Sequence, residues 1–145
     1  MNPLVIDTET SIFQKGNPFA QRNKLCYIGC RNSSSSSEFI VDLGGAPYSR
    51  ALENVSHICA SHDLFVAFNW KFDRHWLVRY GIDISHMAAW DLQLVEFILS
   101  GQSIPFPSLA ETARRAGIPG KLEGIASNYW DNGIDTPDIP TDVML

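Results

Sequence analysis

Apolar residues along the chain form short runs of strand length, separated by polar segments or by segments with helical spacing. Residues 4–8 predict a first strand, and residues 24–30 and 38–43 predict an antiparallel hairpin with a serine-rich tip. Residues 64–68 are continuously apolar, which is typical of a strand that is buried on both faces and parallel to the first. Residues 87–90 predict a short last strand. The pattern therefore predicts five strands.

Helical spacing marks the segments between and after these strands. Apolar residues on one helical face predict helices over residues 48–60, 69–80, 91–99, 108–115 and 121–130. Ser108 and Glu111 have the spacing of a capping box at the start of the fourth helix. This order of elements predicts an α/β fold with a mixed five-stranded sheet. The sheet is expected to be antiparallel in its first half and βαβ in its second, with helices on both faces.

Two carboxylates end the first predicted strand. Side chains alternate along a strand, so Asp7 and Glu9 project from the same side at its carboxyl end. Two carboxylates this close repel each other unless a cation or a proton lies between them, and oxygen ligands of this kind suit Mg²⁺ or Mn²⁺. The pair predicts half of a metal site. The alternative is a strand that runs into a polar turn, because turn residues commonly follow strands.

A second polar pair follows the apolar run at residues 64–68. Asn69 and Asp73 are four residues apart, which places them on one face of the first turn of the next helix. In an open sheet, sites lie outside the carboxyl ends of parallel strands, so Asp73 is expected to meet Asp7 and Glu9. The alternative roles are a helix N-cap for Asn69 and, for Asp73, a first-turn acid that the helix dipole favours.

The segment between the first strand and the hairpin, residues 10–23, predicts a loop, because glycine, proline and polar residues interrupt any regular spacing there. The loop leaves the strand beside Asp7 and Glu9. Its apolar residues either pack over the core as a lid or offer a stacking surface for a nucleobase. Phe13 is the better candidate for stacking.

Composition narrows the class of protein. The chain has 145 residues, of which 45% are apolar, so one domain with one core is expected over residues 1–145. Its net charge of −5 provides no large basic footprint for duplex nucleic acid. No apolar run approaches the roughly 20 residues of a membrane span, and no charged-then-apolar leader begins the sequence, so we predict a cytoplasmic protein with no membrane partner. The odd number of cysteines, Cys26, Cys30 and Cys59, predicts reduced thiols in the core.

These motifs resemble those of the 3′–5′ exonuclease (proofreading) domain of family-A DNA polymerases, especially phage replicative ones, within the DEDD superfamily. Residues 7–10 (Asp-Thr-Glu-Thr) are similar to the family's first motif, and residues 69–73 match its second motif in residue types and spacing. Residues 90–94, 107–110 and 129–136 are similar to further segments of the family. The resemblance runs nearly end to end and implies a ribonuclease-H-like fold, in agreement with the predicted order of elements.

The resemblance implies a metal-dependent hydrolase that removes nucleotides from the 3′ end of single-stranded DNA. Its catalytic and metal-binding residues would be Asp7, Glu9 and Asp73, which would hold two Mg²⁺ or Mn²⁺ ions. Its substrate-binding residues would be Thr8, Thr10, Phe13, Asn69 and Phe72. The implied partners are the 3′ end of a single DNA strand and a DNA polymerase polypeptide.

The sequence departs from the family at the third motif, which is a tyrosine followed four residues later by an aspartate. Tyr80 is followed at that spacing by Ile84, and Tyr129 by Gly133, so the domain is expected to be truncated before this motif. Three interpretations stay open. The first is a proofreading-type exonuclease domain whose chain has been cut short or whose gene is split, with the last motif on a separate polypeptide. The second is a degenerate nuclease that binds metal or single strands weakly or serves a polymerase as a structural module, and the third is an interaction protein that has kept the fold and lost the chemistry. Asp91 either caps its helix or serves as a substitute ligand.

Overall fold

One mixed sheet organises the fold. The structure is a computed structural model that describes residues 1–44, 47–103, 105–119 and 124–144. Its strands are β1 (Pro3–Thr10), β2 (Leu25–Arg31), β3 (Ser36–Ile40), β4 (Leu64–Ala67) and β5 (Ala88–Asp91). They lie in the order β3-β2-β1-β4-β5, with antiparallel β1–β2 and β2–β3 pairs and parallel β1–β4 and β4–β5 pairs. The first strand of the chain is therefore in the middle of the sheet.

Helices connect and follow the strands. They are α1 (Ser49–Ala60), α2 (Trp70–Arg79), α3 (Leu92–Leu99), α4 (Leu109–Arg115), α5 (Gly124–Asn128) and α6 (Thr141–Met144). Short 3-10 turns occupy Phe13–Lys15, Trp130–Asn132 and Thr136–Asp138. None of the described helices is both long and apolar enough to cross a lipid bilayer. Because α2 joins the parallel strands β4 and β5, its first turn lies at the carboxyl edge of the sheet, next to the end of β1.

The hydrophobic core packs α1 and α2 against the sheet. Period-two alternation buries Leu4 and Ile6 of β1, each 1% exposed, and turns Val5 and Asp7 to the other side of the strand. The core cluster includes Ile28, Cys30 and Phe65 from the sheet, Val55 and Cys59 from α1, and Trp76 and Leu77 from α2. Full burial of one large apolar side chain contributes about 1.5–3 kcal/mol. The apolar positions of these two helices thus fix them on the sheet.

The three cysteines are free and buried, as predicted. Burial raises the pKa of Cys26 and Cys30 to about 12 and the pKa of Cys59 to about 11. Because the thiolate is the reactive form of cysteine, these side chains act as small apolar groups of the core.

The hairpin differs from its prediction at the turn. β3 begins at Ser36, inside the serine run, rather than at residue 38, and it ends at Ile40. The Asn32 side chain makes the tight turn: its Oδ1 accepts hydrogen bonds from the backbone N of Ser34 at 2.8 Å and of Ser35 at 2.9 Å. An Asn side chain that accepts hydrogen bonds from the backbone after it reverses the chain within a few residues. The pairing of β3 with β2 therefore begins two residues earlier than predicted, at Ser36.

The helices after β5 follow the predicted order. The capping box of Ser108 and Glu111 is present at the start of α4, with each side chain bonded to the backbone of the other residue. The predicted helix over residues 121–130 is seen as α5 followed by a 3-10 turn, and residues 121–123 lie outside the described residues.

Candidate functional site

The first turn of α2 is docked onto β1 through Asp73. This residue is 3% exposed, and its Oδ1 accepts hydrogen bonds from the backbone N of Thr8 at 3.1 Å and from the Thr8 hydroxyl at 2.7 Å. Thr8 lies between Asp7 and Glu9 but faces the buried side of the strand. The two bonds therefore bring the helical acid to the strand end that carries the other predicted carboxylates.

The surroundings of Asp73 disfavour its charge. Burial raises the pKa of Asp73 to about 7 from an ordinary value of 3.8, although the hydrogen bond from the Thr8 hydroxyl acts in the opposite direction. The negative charge of Asp7 raises the pKa of Asp73 further, so the two carboxylates interact electrostatically. A cation beside both groups would offset their repulsion and favour the charged form of Asp73.

The expected convergence of three carboxylates is seen only in part. Asp7 is exposed and Glu9 is half-buried, and within the described ranges no group of three or more His, Cys, Asp or Glu side chains is close enough to hold a metal ion. Same-side residues of a strand are about 6.6 Å apart along its axis, and the pairing of β1 with β2 shifts register between Glu9 and Thr10. By donor chemistry, Asp7 and Asp73 fit a shared divalent cation, whereas Glu9 does not complete a group of three with them.

Asn69 links the start of α2 to the start of α3. Its backbone has a left-handed φ of 64°, and its N donates a hydrogen bond to Oδ1 of Asp91 at 3.0 Å. The same oxygen accepts from the backbone N of Gln93 at 2.9 Å and of Leu94 at 3.4 Å. Asp91 is thus the cap of α3, the first of the two roles expected for it. The Asn69 side chain is exposed and makes no capping bond to α2, so capping does not explain this residue.

A groove of about 180 Å³ lies beside the end of β1. It is lined by Thr8, Glu9, Thr10, Ser11, Ile12, Lys15, Gly16, Phe72 and Trp130. Three of the predicted substrate-binding residues, Thr8, Thr10 and Phe72, are therefore part of it. The hydroxyl of Thr8 already binds Asp73, so its main task is to hold that carboxylate. Lys15 and Trp130 also line the groove but were not among the predicted substrate-binding residues, although Trp130 lies in the family-like segment 129–136.

The loop wall of the groove has a strained backbone. Gln14, Lys15 and Gly16 are consecutive residues with left-handed φ values of 48°, 58° and 69°. Nε1 of the buried Trp76 donates a hydrogen bond to the carbonyl of Gly16 at 3.1 Å and fixes the turn to α2. A Cβ atom at position 16 would lie 2.5 Å from Oγ1 of Thr10, so the turn comes closer to β1 than a residue with a side chain allows.

The polar side chains of Asn23 and Arg79 hold the rest of the loop in place. Nδ2 of Asn23 donates to the carbonyl of Phe13 at 2.7 Å and to that of Asn17 at 3.0 Å. The guanidinium of Arg79, on α2, donates to three carbonyls within residues 18–21 at 2.8 to 3.2 Å. The loop is therefore an ordered wall of the groove that is held mainly by α2.

Phe13 lies outside the lining found for the groove. Its ring is half-buried, and the Arg22 guanidinium lies 3.7 Å from the ring centroid. Arg22 therefore covers one face of the ring, and base stacking by Phe13 stays a prediction. Phe19, in the same loop, is 76% exposed and meets the ring of His75 edge-on, with centroids 5.3 Å apart.

Residues near the end of the described chain close the groove. The Thr136 hydroxyl donates to the carbonyl of Thr10 at 2.6 Å, and Oδ1 of Asp135 accepts from the backbone N of Ile12 at 2.8 Å. Nε1 of Trp130 donates to Oγ1 of Thr136 at 3.2 Å. The first two contacts join residues 126 and 123 positions apart, so no local pattern in the sequence indicates them.

Comparisons with known proteins bear on the fold. No family model and no curated protein matches the sequence. Among solved structures, the chain is similar to the family B DNA polymerase from the hyperthermophilic archaeon Pyrobaculum calidifontis, with a TM-score of 0.61 and 15% sequence identity. The match covers 90% of this chain and 21% of the polymerase chain, so this chain spans about a fifth of that protein's length.

The fold is ribonuclease-H-like. The predicted α/β class with a mixed five-stranded sheet and helices is confirmed by the strand order and by the structural match. At 15% identity, this match shows a likeness of fold alone. It does not single out the phage family-A exonucleases that the sequence motifs resemble.

Without divalent cations, the protein is expected to be less stable at about pH 8 than at about pH 5. Asp73 has a pKa of about 7 in the folded state against an ordinary value of 3.8, so the folded state binds more protons between these values and stability falls as the pH rises through them. The isosteric Asp73→Asn variant lacks this titration and should be the more stable protein at about pH 8, by up to about 4 kcal/mol. Urea unfolding in EDTA across this pH range measures the difference.

Asp131→Asn is the matched control for that experiment, because Asp131 is an exposed acid. It should reproduce the pH dependence of the wild type. Parallel pH profiles for the wild type and Asp73→Asn would show that the titration of Asp73 is not coupled to folding.

Substitution of Gly16 by alanine should destabilise the protein more than the same change at Gly81. Both glycines have a left-handed φ, of 69° and 78°, but a Cβ atom at Gly81 meets nothing within 4 Å. Gly81→Ala should therefore cost about 1 kcal/mol of backbone strain, and Gly16→Ala should add about 1–3 kcal/mol from overpacking. Chemical unfolding of both variants gives the comparison, and equal losses would contradict the close approach of the loop to β1.

Proposed function

We propose that this chain is a metal-dependent nuclease domain that hydrolyses single-stranded DNA from its 3′ end. The observation that carries the proposal is the docking of Asp73 onto Thr8, between Asp7 and Glu9 at the carboxyl end of β1, where burial and the charge of Asp7 raise the pKa of Asp73. Acids with a perturbed pKa in such a setting are typical of functional sites, and carboxylate oxygens are the ligands of hard divalent cations. The groove beside Glu9 provides room for a substrate next to this pair.

Mg²⁺ or Mn²⁺ is the cofactor that suits this set of donors, because all of them are carboxylate oxygens. Asp7 and Asp73 would hold it, and Glu9 would have to come closer to them to serve as a third ligand, because the described residues form no group of three. When bound, a divalent cation lowers the pKa of a water molecule and stabilises the charge on a leaving oxygen. Thr8 keeps the Asp73 carboxylate oriented through its two hydrogen bonds.

The groove suits a single strand. Phe72 and Trp130 offer aromatic surface for bases, and Lys15 offers a cation for a phosphate group. The net charge of −5 does not favour a broad contact with duplex DNA. The 3′ polarity and the preference for DNA rest on the resemblance to proofreading exonucleases, as do the substrate contacts of Thr10 and Asn69.

The proposal includes a DNA polymerase polypeptide as a partner. The family's third motif has no counterpart at its expected spacing in this sequence. We therefore propose that full activity needs a further acid supplied by that polypeptide. The similarity of the fold to part of a DNA polymerase is in keeping with this proposal.

A second candidate function is a single-strand-binding module of the same fold with weak or no hydrolytic activity. The observation that favours it is the incomplete carboxylate group, since within the described residues Glu9 does not join Asp7 and Asp73 in a set of three. Such a module would bind the strand in the groove and need no metal for binding.

Mn²⁺ should bind the wild type at least about tenfold more tightly than it binds the Asp7→Asn variant, because the variant loses one charged oxygen ligand. Isothermal titration calorimetry measures both affinities. Asp131→Asn is the control and should bind Mn²⁺ as the wild type does. Equal affinities for the wild type and Asp7→Asn would remove Asp7 from the metal site.

A single strand labelled at its 5′ end should shorten progressively from the 3′ end when Mg²⁺ or Mn²⁺ is present. Asp73→Asn should slow the initial rate by about 10²- to 10⁴-fold, as expected for the loss of a catalytic group. Hydrolysis that begins in the middle of the strand would show that the proposed polarity is wrong. Binding without hydrolysis in either metal would favour the second candidate function.

A further inference from the structure

A second and larger cavity, of about 360 Å³, lies on the α3 side of the start of α2. Its lining includes the aromatic rings of Trp70, Phe97 and Phe106, together with Asn69, Lys71 and Pro107. Cavities of this size with a mainly apolar lining and a few polar groups are typical of sites for small organic groups. Of the proposed substrate-binding residues, Asn69 alone is in its lining.

Phe106 has a conformation that core packing does not explain. Its side chain is 87% exposed, and its backbone has a left-handed φ of 48°. A non-glycine residue in this region costs roughly 1–2 kcal/mol, and an exposed ring recovers little of that cost through burial. Asn69, with a φ of 64°, lines the same cavity. Strained residues that gather around one cavity are typical of ligand sites.

Polar contacts hold the wall of the cavity that carries Phe106. Nε2 of Gln93, on α3, donates a hydrogen bond to the carbonyl of Pro107 at 3.0 Å. The neighbouring Asp91 carboxylate accepts hydrogen bonds from three backbone N–H groups, including that of Asn69. These bonds hold the Phe106 segment against α3 and fix the backbone of Asn69.

The charges around the cavity favour an anionic ligand. Lys71 lines the cavity and is exposed, and the Arg74 guanidinium lies 5.8 Å from the centroid of the Trp70 ring. The one acid in the lining, Asp91, is already hydrogen-bonded to backbone N–H groups. Aromatic rings beside cations suit a planar ring that carries a phosphate, which describes a nucleotide.

We propose that this cavity holds a nucleobase of the bound single strand, at a nucleotide other than the one that is hydrolysed. The base stacks on the aromatic rings, the Asn69 amide lies at its edge, and Lys71 meets a phosphate. Asn69 precedes Asp73 by four residues, about one helical turn or roughly 5.4 Å, so one strand can reach both places. The inference rests on the proposed function only for its ligand class, single-stranded DNA.

The test measures binding without hydrolysis. Fluorescence anisotropy in EDTA follows a labelled oligothymidylate of about ten nucleotides, with the wild type, Phe106→Ala and Tyr48→Ala. Loss of one stacking ring should weaken binding by about 5- to 150-fold in Phe106→Ala. Tyr48→Ala is the matched control, because it removes an exposed aromatic ring that lines neither cavity, and it should bind as the wild type does. Equal thermal unfolding of all three proteins shows that the variants are folded.

A series of oligonucleotides, each with one abasic site at a different position, identifies which base of the strand occupies the cavity. At one internal position the abasic strand should bind the wild type as weakly as the intact strand binds Phe106→Ala, and combining both changes should cause no further loss. Additive losses, wild-type affinity in Phe106→Ala, or no binding by the wild type would overturn the proposal. Thymidine monophosphate that competes as well as the oligonucleotide would also overturn it, because the cavity would then hold a free nucleotide.

The outcome is separable from that of the proposed nuclease function. Hydrolysis from the 3′ end with unchanged strand affinity in Phe106→Ala would overturn the base pocket and leave the nuclease proposal standing. A loss of strand affinity in Phe106→Ala, with no hydrolysis by the wild type, would support the base pocket and overturn the nuclease proposal.

Discussion

The contact on which the rest of the site depends is the double hydrogen bond from Thr8 to Asp73. β1 has paired neighbours on both sides, so Thr8 has a fixed position in the middle of the sheet. Asp73 binds that position from the first turn of α2 and thereby sets where the helix starts. The two hydrogen bonds offset part of the desolvation of a buried carboxyl group, which would otherwise oppose the packing. The strand end, the helix start and their acids consequently form one unit.

Backbone strain is concentrated around this unit. Asn69 enters α2 with a left-handed φ, and the turn of residues 14–16 packs against the same helix through Trp76. Left-handed non-glycine residues persist only where the surrounding contacts determine them. Here the contacts are the Asp91 carboxylate on the α3 side and the Trp76 indole on the loop side. A cavity lies on each side of the helix start, one beside α3 and one beside the loop.

Local patterns in the sequence predict most of the fold. The alternating burial of β1 and the capping box of α4 each depend on neighbouring residues, so spacing reveals them. The approach of Asp73 to the end of β1 was predictable as well, because parallel strands share a carboxyl edge. The left-handed turn was not, since Gln14 is not a residue type that marks one. The contact of Thr136 with Thr10 was not either, because it joins residues 126 positions apart and depends on the folded path of the whole chain.

The acids at the end of β1 link the stability of the site to its chemistry. Regular alternation places Glu9 on the same side of β1 as Asp7, and the pairing of β1 with β2 shifts register directly after Glu9. Asp7 and Asp73 interact electrostatically, and burial raises the pKa of Asp73 to about 7. Because Asp73 is buried, the metal-free fold is more stable when this carboxyl group is protonated, whereas a cation would bind its charged form. A cation that binds only the folded state would recover by mass action the stability that ionisation removes. If the proposed cation binds there, the site would favour metal affinity over the stability of the metal-free fold, which is the usual direction of the compromise at functional sites.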